Sequence, residues 1–308
     1  MPKNEIPIFL FNGFLDSGKT KLAKEILESD ETYHYGRTLV ILTEEGLEEF
    51  DPTFNHMYGL NVVSCLDEEE LTEQYVNDLV KKYKPKQIFM EINAFFNIEN
   101  LPIPKNGKIY QQVTTIDASK FGVYLTNMRQ IINQMVSYST IIIFNRCDGV
   151  KELASFRRSI RAFNQNAQIG FEYFDGKVRT QLDEDLPYDI NSDKIVLKDE
   201  DYPIWYLDIF DNYEKYKDKE ITFRAYIRDV TEDSLVIGRR IMTCCEADIA
   251  FYGYEVISDQ MIKNNSFVEV TGKPIMRYSK IAQEEVMMIE ASSIKLLPPE
   301  IEKYLVFN

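Results

Sequence analysis

The octapeptide Gly13-Phe14-Leu15-Asp16-Ser17-Gly18-Lys19-Thr20 fits the pattern GxxxxGK[ST] and constrains this chain more than any other stretch. In that pattern the glycines let successive backbone N–H groups converge on phosphate oxygens, and the positive end of the following helix adds to their pull. The arrangement works only where a strand runs into the loop and a helix leaves it. Both flanks meet the requirement. Residues 6–11 form an apolar run without strict alternation, as in a strand buried on both faces of a parallel sheet. After Lys19 the apolar Leu22, Ala23, Ile26 and Leu27 recur at helical spacing. Lys19 is expected to reach β and γ phosphates. Thr20 is expected to place its hydroxyl on Mg²⁺, a hard cation that favours oxygen ligands.

Further apolar runs at 38–42, 87–91, 109–116 and 140–145 alternate with helical patterns at 70–83 and 124–136. Such alternation predicts an α/β domain with a doubly wound, mostly parallel sheet. A helix around 151–163 and a last strand at 168–174 complete it, so the first domain is set at 1–178. Residues 179–202 are rich in Asp, Pro, Asn and Ser and lack sustained periodicity, which reads as a linker. Beyond them come short strand-like runs at 220–227, 234–241, 250–257, 266–274 and 286–297 with no long helix between. These predict a small all-β domain, an OB-like barrel, over 203–308.

Composition narrows the function. The chain is 44% hydrophobic and 28% charged, inside the range of folded soluble proteins. A net charge of −15 repels phosphodiester backbones, so nucleic acid is excluded as a partner. The barrel region shares this bias, with 13 Lys or Arg against 18 Asp or Glu over 203–308. No run of about 18 apolar residues suggests a membrane-embedded segment, and no secretory leader is evident; the expected location is the cytoplasm. Four cysteines, Cys65, Cys147, Cys244 and Cys245, are too few for a disulfide framework and should be reduced thiols.

Asn145-Arg146-Cys147-Asp148 follows the run 141–144, at the carboxyl end of a strand where open α/β sheets bind ligands. It matches an NKxD-type guanine reader. Asp148 can accept two N–H bonds from the guanine edge, whereas adenine would set an acceptor against it; the alternative is that Asp148 caps a helix beginning near Val150. Arg146, in the Lys position, keeps an aliphatic stem to pack on a base. The acidic stretch from Thr43 through Glu44 to Asp51 follows the second strand, where a nucleotide-sensing loop and a metal-binding carboxylate are expected; a solvated acidic loop competes. Glu91 ends the third predicted strand and could contact Mg²⁺ or polarise an attacking water, the alternative being a buried strand-end carboxyl with a backbone partner. Lys19 and Glu91 are thus the catalytic candidates. Gly13, Asp16, Ser17, Gly18, Lys19, Thr20, Asn145, Arg146 and Asp148 are the nucleotide-binding candidates.

In their order, GFLDSGKT, VILTEEGLEEFD, IFMEINAFF, TTIDASKF and NRCD resemble the CobW-like GTPases, a group related to HypB and UreG, over residues 5–175. The resemblance implies GTP and Mg²⁺ binding, slow hydrolysis of GTP, nucleotide-dependent homodimerisation in some members, and delivery or sensing of metal ions such as Zn²⁺. The chain departs from the family's pattern in four places. Only Cys65 stands where the family has a Cys-x-Cys-Cys metal motif, Thr43 replaces an Asn, Ala94 replaces a Gly, and Arg146 replaces the Lys. A thiolate metal site needs about four ligands, so Cys65 would need help from Glu44 or His56. The segments 204–210, 236–240 and 242–248 resemble the C-terminal domain of uncharacterised permease-associated proteins, and the adjacent Cys244 and Cys245 are either core thiols or soft-metal ligands completed from elsewhere. The metal candidates are therefore Thr20, Glu91, Glu44, Cys65, Cys244 and Cys245.

Two functions compete on this reading. The first is a GTP-driven metal-homeostasis protein serving a metalloprotein client. The second is a nucleotide-regulated adaptor that docks a permease through its barrel without transferring metal. An ATP-dependent kinase on the same loop lacks an evident lid or acceptor site and conflicts with Asn145 and Asp148.

Overall fold

The computed structural model describes residues 5–29, 37–182, 186–231, 234–243, 246–258, 260 and 262–307. It divides into two compact units, Met1–Leu182 and Asp183–Asn308.

In the first unit, strand β1 (Ile6–Gly13) lies inside a sheet with β2 (Thr38–Leu42), β3 (Leu60–Ser64), β4 (Gln87–Asn93), β5 (Gly107–Asp117), β6 (Ile141–Asn145), β7 (Gln168–Glu172) and β8 (Val178–Arg179), in the order β3-β2-β4-β1-β5-β6-β7-β8. Every pairing is parallel except β7 with β8. The unbroken apolar character of β1 has a direct cause. Ile8 and Leu10 face a core that holds Ile88, Met90, Val76 and Leu79, with α3 (Glu73–Tyr83) above it. Phe11 faces the other way, onto Phe89, Val40, Ala23 and Leu27 beneath α1 (Lys19–Glu28). A strand buried on both sides needs no polar alternation. A third core gathers Ile142, Phe144 and Phe171 with Phe121, Ile132 and Phe156 from α4 (Ala118–Asn127), α5 (Arg129–Val136) and α6 (Leu153–Phe163).

Two details differ from the sequence reading. Strand β3 escaped it, because Leu60-Asn61-Val62-Val63-Ser64 is a short edge strand that is only half-buried and carries a weak pattern. Glu91 lies within β4 rather than at its end, since that strand continues to Asn93. The short helix α2 (Pro52–Met57) is started by Asp51, whose carboxylate accepts from the amides of Thr53 and Phe54.

The second unit is a closed ring. β10 (Glu220–Val230) pairs with β11 (Ser234–Met242), which pairs with β12 (Ala250–Ile257); β12 pairs in parallel with β14 (Glu285–Leu296), which pairs with β13 (Phe267–Tyr278), and β13 returns to β10. A five-stranded barrel in the order 1-2-3-5-4-1 is the OB-like all-β domain expected from the sequence. Closure removes the exposed strand edges that an open sheet would leave.

Much of the stretch read as a linker belongs to this unit. β9 (Lys194–Val196) pairs in parallel with β10, and a 3-10 turn at Asp199–Asp201 leads into α7 (Tyr202–Asp211) and the short α8 (Tyr213–Tyr216). α7 lacks a clear helical stripe because most of its surface is covered. Trp205 is fully buried against Phe223 and Tyr254, with ring centroids 4.9 and 5.5 Å away, and Asp208 is buried with the Tyr216 hydroxyl donating to it at 2.6 Å. The last strand, β15 (Leu305–Val306), adds to β11.

Candidate nucleotide site

The carboxyl ends of β1, β2, β4 and β6 open onto a cleft of about 870 Å³ lined by the glycine loop, residues 44–50, Glu91, Asn145, Arg146 and the segment around Tyr173 and Phe174. The loop's shape follows from its glycines. Gly13 has φ +143°, and a Cβ there would come within 2.4 Å of both Ser17 Oγ and the Thr115 carbonyl oxygen. Gly18, with φ +101°, caps α1 and lies so close to Asn145 that a Cβ would meet its Nδ2 at 2.7 Å. Only glycine fits either place.

Lys19 is almost fully buried, and its ammonium donates to the carbonyls of Gly13 at 2.8 Å and Phe14 at 2.9 Å. It also forms an ion pair with Glu44. Thr20 donates its hydroxyl to Glu91 Oε2 at 2.9 Å. Burial pushes the Glu91 carboxyl up to about 7, although the Thr20 hydrogen bond and the Lys19 charge pull the other way. Its second oxygen, Oε1, is buried with no hydrogen-bond partner among the described residues. A hydroxyl beside an under-satisfied carboxylate, next to a phosphate loop, is the oxygen donor set a Mg²⁺ ion favours, and Thr20 and Glu91 fit that ion.

At the other end of the cleft, Asn145 donates to the Ser17 carbonyl at 2.6 Å and ties β6 to the loop. Arg146, with φ +54°, does not extend free: it donates to Asp117 at 2.9 Å and to the Asp16 carbonyl at 3.3 Å. Burial would raise the Asp117 carboxyl, but the Ser119 hydrogen bonds and the Arg146 and Lys120 charges outweigh it and hold the group below the usual carboxylate range. Asp148 does not cap a helix. The next helix begins only at Leu153, and Asp148 Oδ2 instead accepts from the Phe174 amide at 2.7 Å.

Most of the site residues expected from the sequence therefore line one cleft or support it. One described metal candidate falls outside the cleft. Cys65 is buried with its thiol 3.8 Å from the Asp67 carbonyl, and burial pushes that thiol up, away from a ligating thiolate. Cys244 and Cys245 lie outside the described residues. No group of three or more His, Cys, Asp or Glu side chains is placed to hold a metal ion among the described residues.

Several contacts around the site were not foreseen, including those of Thr43, which the sequence marked only as the start of the acidic stretch and as a departure from the family pattern. Thr115 bonds Ser17 Oγ at 2.8 Å, and Thr43 receives the Asn93 amide at 2.7 Å while donating to the Glu91 carbonyl at 3.0 Å. Asp117, quoted only within TTIDASKF, and the Lys21–Glu172 pair, at 2.8 Å, also had no assigned role. Their one available signal was polar residues at the ends of otherwise buried strands.

The site and the sheet are those of a P-loop nucleotide-binding domain. Residues 7–171 match the family described as CobW/HypB/UreG, nucleotide-binding domain, and the chain belongs to that family. Residues 173–307 match the DUF1980 C-terminal domain. A comparison with curated proteins gives no match. Among solved structures, the chain is similar to hydrogenase maturation factor HypB from Archaeoglobus fulgidus at 12% identity and a TM-score of 0.41, covering 56% of this chain and 83% of that one. It is also similar to Zn(II)-bound YjiA GTPase from E. coli at 16% identity and a TM-score of 0.39, covering 96% and 90%. HypB from Helicobacter pylori in complex with nickel aligns at 12% identity and a TM-score of 0.39, covering 56% and 80%. Among the described residues, no helix is long and apolar enough to cross a membrane.

Proposed function

We propose that this chain binds GTP with Mg²⁺, hydrolyses it slowly, and uses the nucleotide state to govern the handling of a metal ion in the cytoplasm. The observation that carries the nucleotide part is the meeting of Lys19, the Thr20–Glu91 pair, Asn145 and Arg146 on one cleft, with Asp148 bonded to the amide of Phe174, which also lines it. Lys19 would bind phosphate oxygens and Asp148 would orient guanine. Thr20 and Glu91 would hold Mg²⁺, which supplies neutralisation of phosphate charge when bound. The metal-handling part, with Zn²⁺ as the first candidate and a metalloprotein as client, rests on the sequence resemblance. So does nucleotide-dependent pairing of two copies.

Titration calorimetry with GTP and ATP in Mg²⁺ tests the first part. Wild type should prefer GTP, and Lys19→Ala should lose binding altogether; unchanged binding by that variant would sink the mechanism. Zn²⁺ titrated with and without a non-hydrolysable GTP analogue tests the coupling. A specific observation favours a second reading, an adaptor that docks a permease or another protein without metal transfer: the thiol of Cys65 is buried. GTP binding with no response to Zn²⁺ would select it.

A further inference from the structure

The Lys19 ammonium donates to the Gly13 and Phe14 carbonyls, and its charge is paired with the Glu44 carboxylate. A terminal phosphate would compete with Glu44 for this ammonium, because both are anions that offer it oxygen. The two carbonyls belong to a loop whose shape Gly13 imposes. Glu44 is the movable partner, and it is also the one that resembles a phosphate, an anion offering oxygen to the same cation.

The segment that bears Glu44 is held by polar ties to the phosphate side of the site. Its start is pinned where Thr43 bonds the Glu91 carbonyl at 3.0 Å. Beyond it, Glu44 pairs with Lys19, the Leu47 amide donates to Asp16 Oδ1 at 2.9 Å, and Glu48 accepts from Lys24 at 2.6 Å. Apolar anchoring is slight, since Leu47 is 90% exposed and burial resumes only at Phe50. Beyond the largely buried Glu44–Lys19 pair the ties at Leu47 and Glu48 are exposed polar contacts, which open at little cost.

We infer that Glu44 occupies the terminal-phosphate seat on Lys19, so that residues 44–50 form a latch which a nucleoside triphosphate must open and a diphosphate leaves closed. The inference deepens the proposed function and rests on it for the nucleotide. Competition of this kind lowers apparent affinity by the fraction of molecules with the latch open. It falls on the ligand that brings the extra phosphate, which makes Glu44 a specificity-determining residue.

The test uses the full chain as wild type and as Glu44→Gln, which keeps the shape and removes the charge. Hydrogen exchange of residues 44–50 is followed without nucleotide, with GDP and with a non-hydrolysable GTP analogue, alongside titrations of both nucleotides. The expected results are faster exchange in Glu44→Gln without nucleotide, faster exchange in wild type on adding the triphosphate but not GDP, and a gain of roughly tenfold in triphosphate affinity over any gain for GDP. Loss of charge repulsion alone would also tighten triphosphate binding, but it would leave nucleotide-free exchange unchanged, and that result overturns the latch. Equal gains for GDP and triphosphate overturn it too. If wild type binds no guanine nucleotide, the proposed function fails by itself, while the nucleotide-free comparison still decides whether Glu44 holds the segment down.

Discussion

Replacing Glu91 with Gln should change how stability depends on pH in a way set by burial. In the folded protein this carboxyl is pushed from 4.5 to about 7, chiefly because burial penalises its charged form. Between those values the folded state keeps a proton that the unfolded chain has released. The contribution is therefore fully present below about pH 4.5 and is lost as pH rises through about 7. A shift of this size corresponds to roughly 3 kcal/mol across the window. Gln cannot ionise, so the stability of Glu91→Gln relative to wild type should climb by about that amount from pH 4.5 to pH 8. Any constant cost of placing an amide beside Thr20 cancels in the slope. Urea unfolding at several pH values, followed by circular dichroism, would measure it. The single tryptophan, Trp205, lies in the second unit, so its fluorescence follows the unfolding of that unit. A stability difference between variant and wild type that does not vary with pH would refute the reasoning.

Two further substitutions test the geometry of the cleft. Gly13→Ala would force a Cβ to within 2.4 Å of Ser17 Oγ and the Thr115 carbonyl at a φ of +143°, so we expect nucleotide binding to be abolished and stability to fall by about 2 kcal/mol or more, checked by titration and thermal melting. Asp148→Asn exchanges an acceptor for a donor at the guanine edge; GTP affinity should drop about 10- to 100-fold while xanthosine triphosphate, which presents a carbonyl there, gains, and unchanged GTP affinity would show that Asp148 does not read the base.

The sequence alone determined whatever depends on neighbours along the chain. Glycines at 13 and 18 followed by Lys19 and Thr20 announce a phosphate loop because its shape is a matter of local backbone freedom. The buried parallel strands show as apolar runs because both of their faces are covered, and the five barrel strands are legible because short apolar stretches separated by turns leave few alternatives. Local pattern fails where a partner lies far away in sequence. β3 and β9 are short strands defined by the neighbour each adds to, and α7 is disguised because Trp205 is buried by residues as distant as Tyr254. Only the tertiary structure decided how the site is arranged: that Arg146 turns onto Asp117, that Asp148 holds the Phe174 amide, that Cys65 is buried, and that Glu44 sits on Lys19. Each of these is a contact between groups on different elements, and its energy depends on a separation and a degree of burial that exist only once the sheet has brought those elements together.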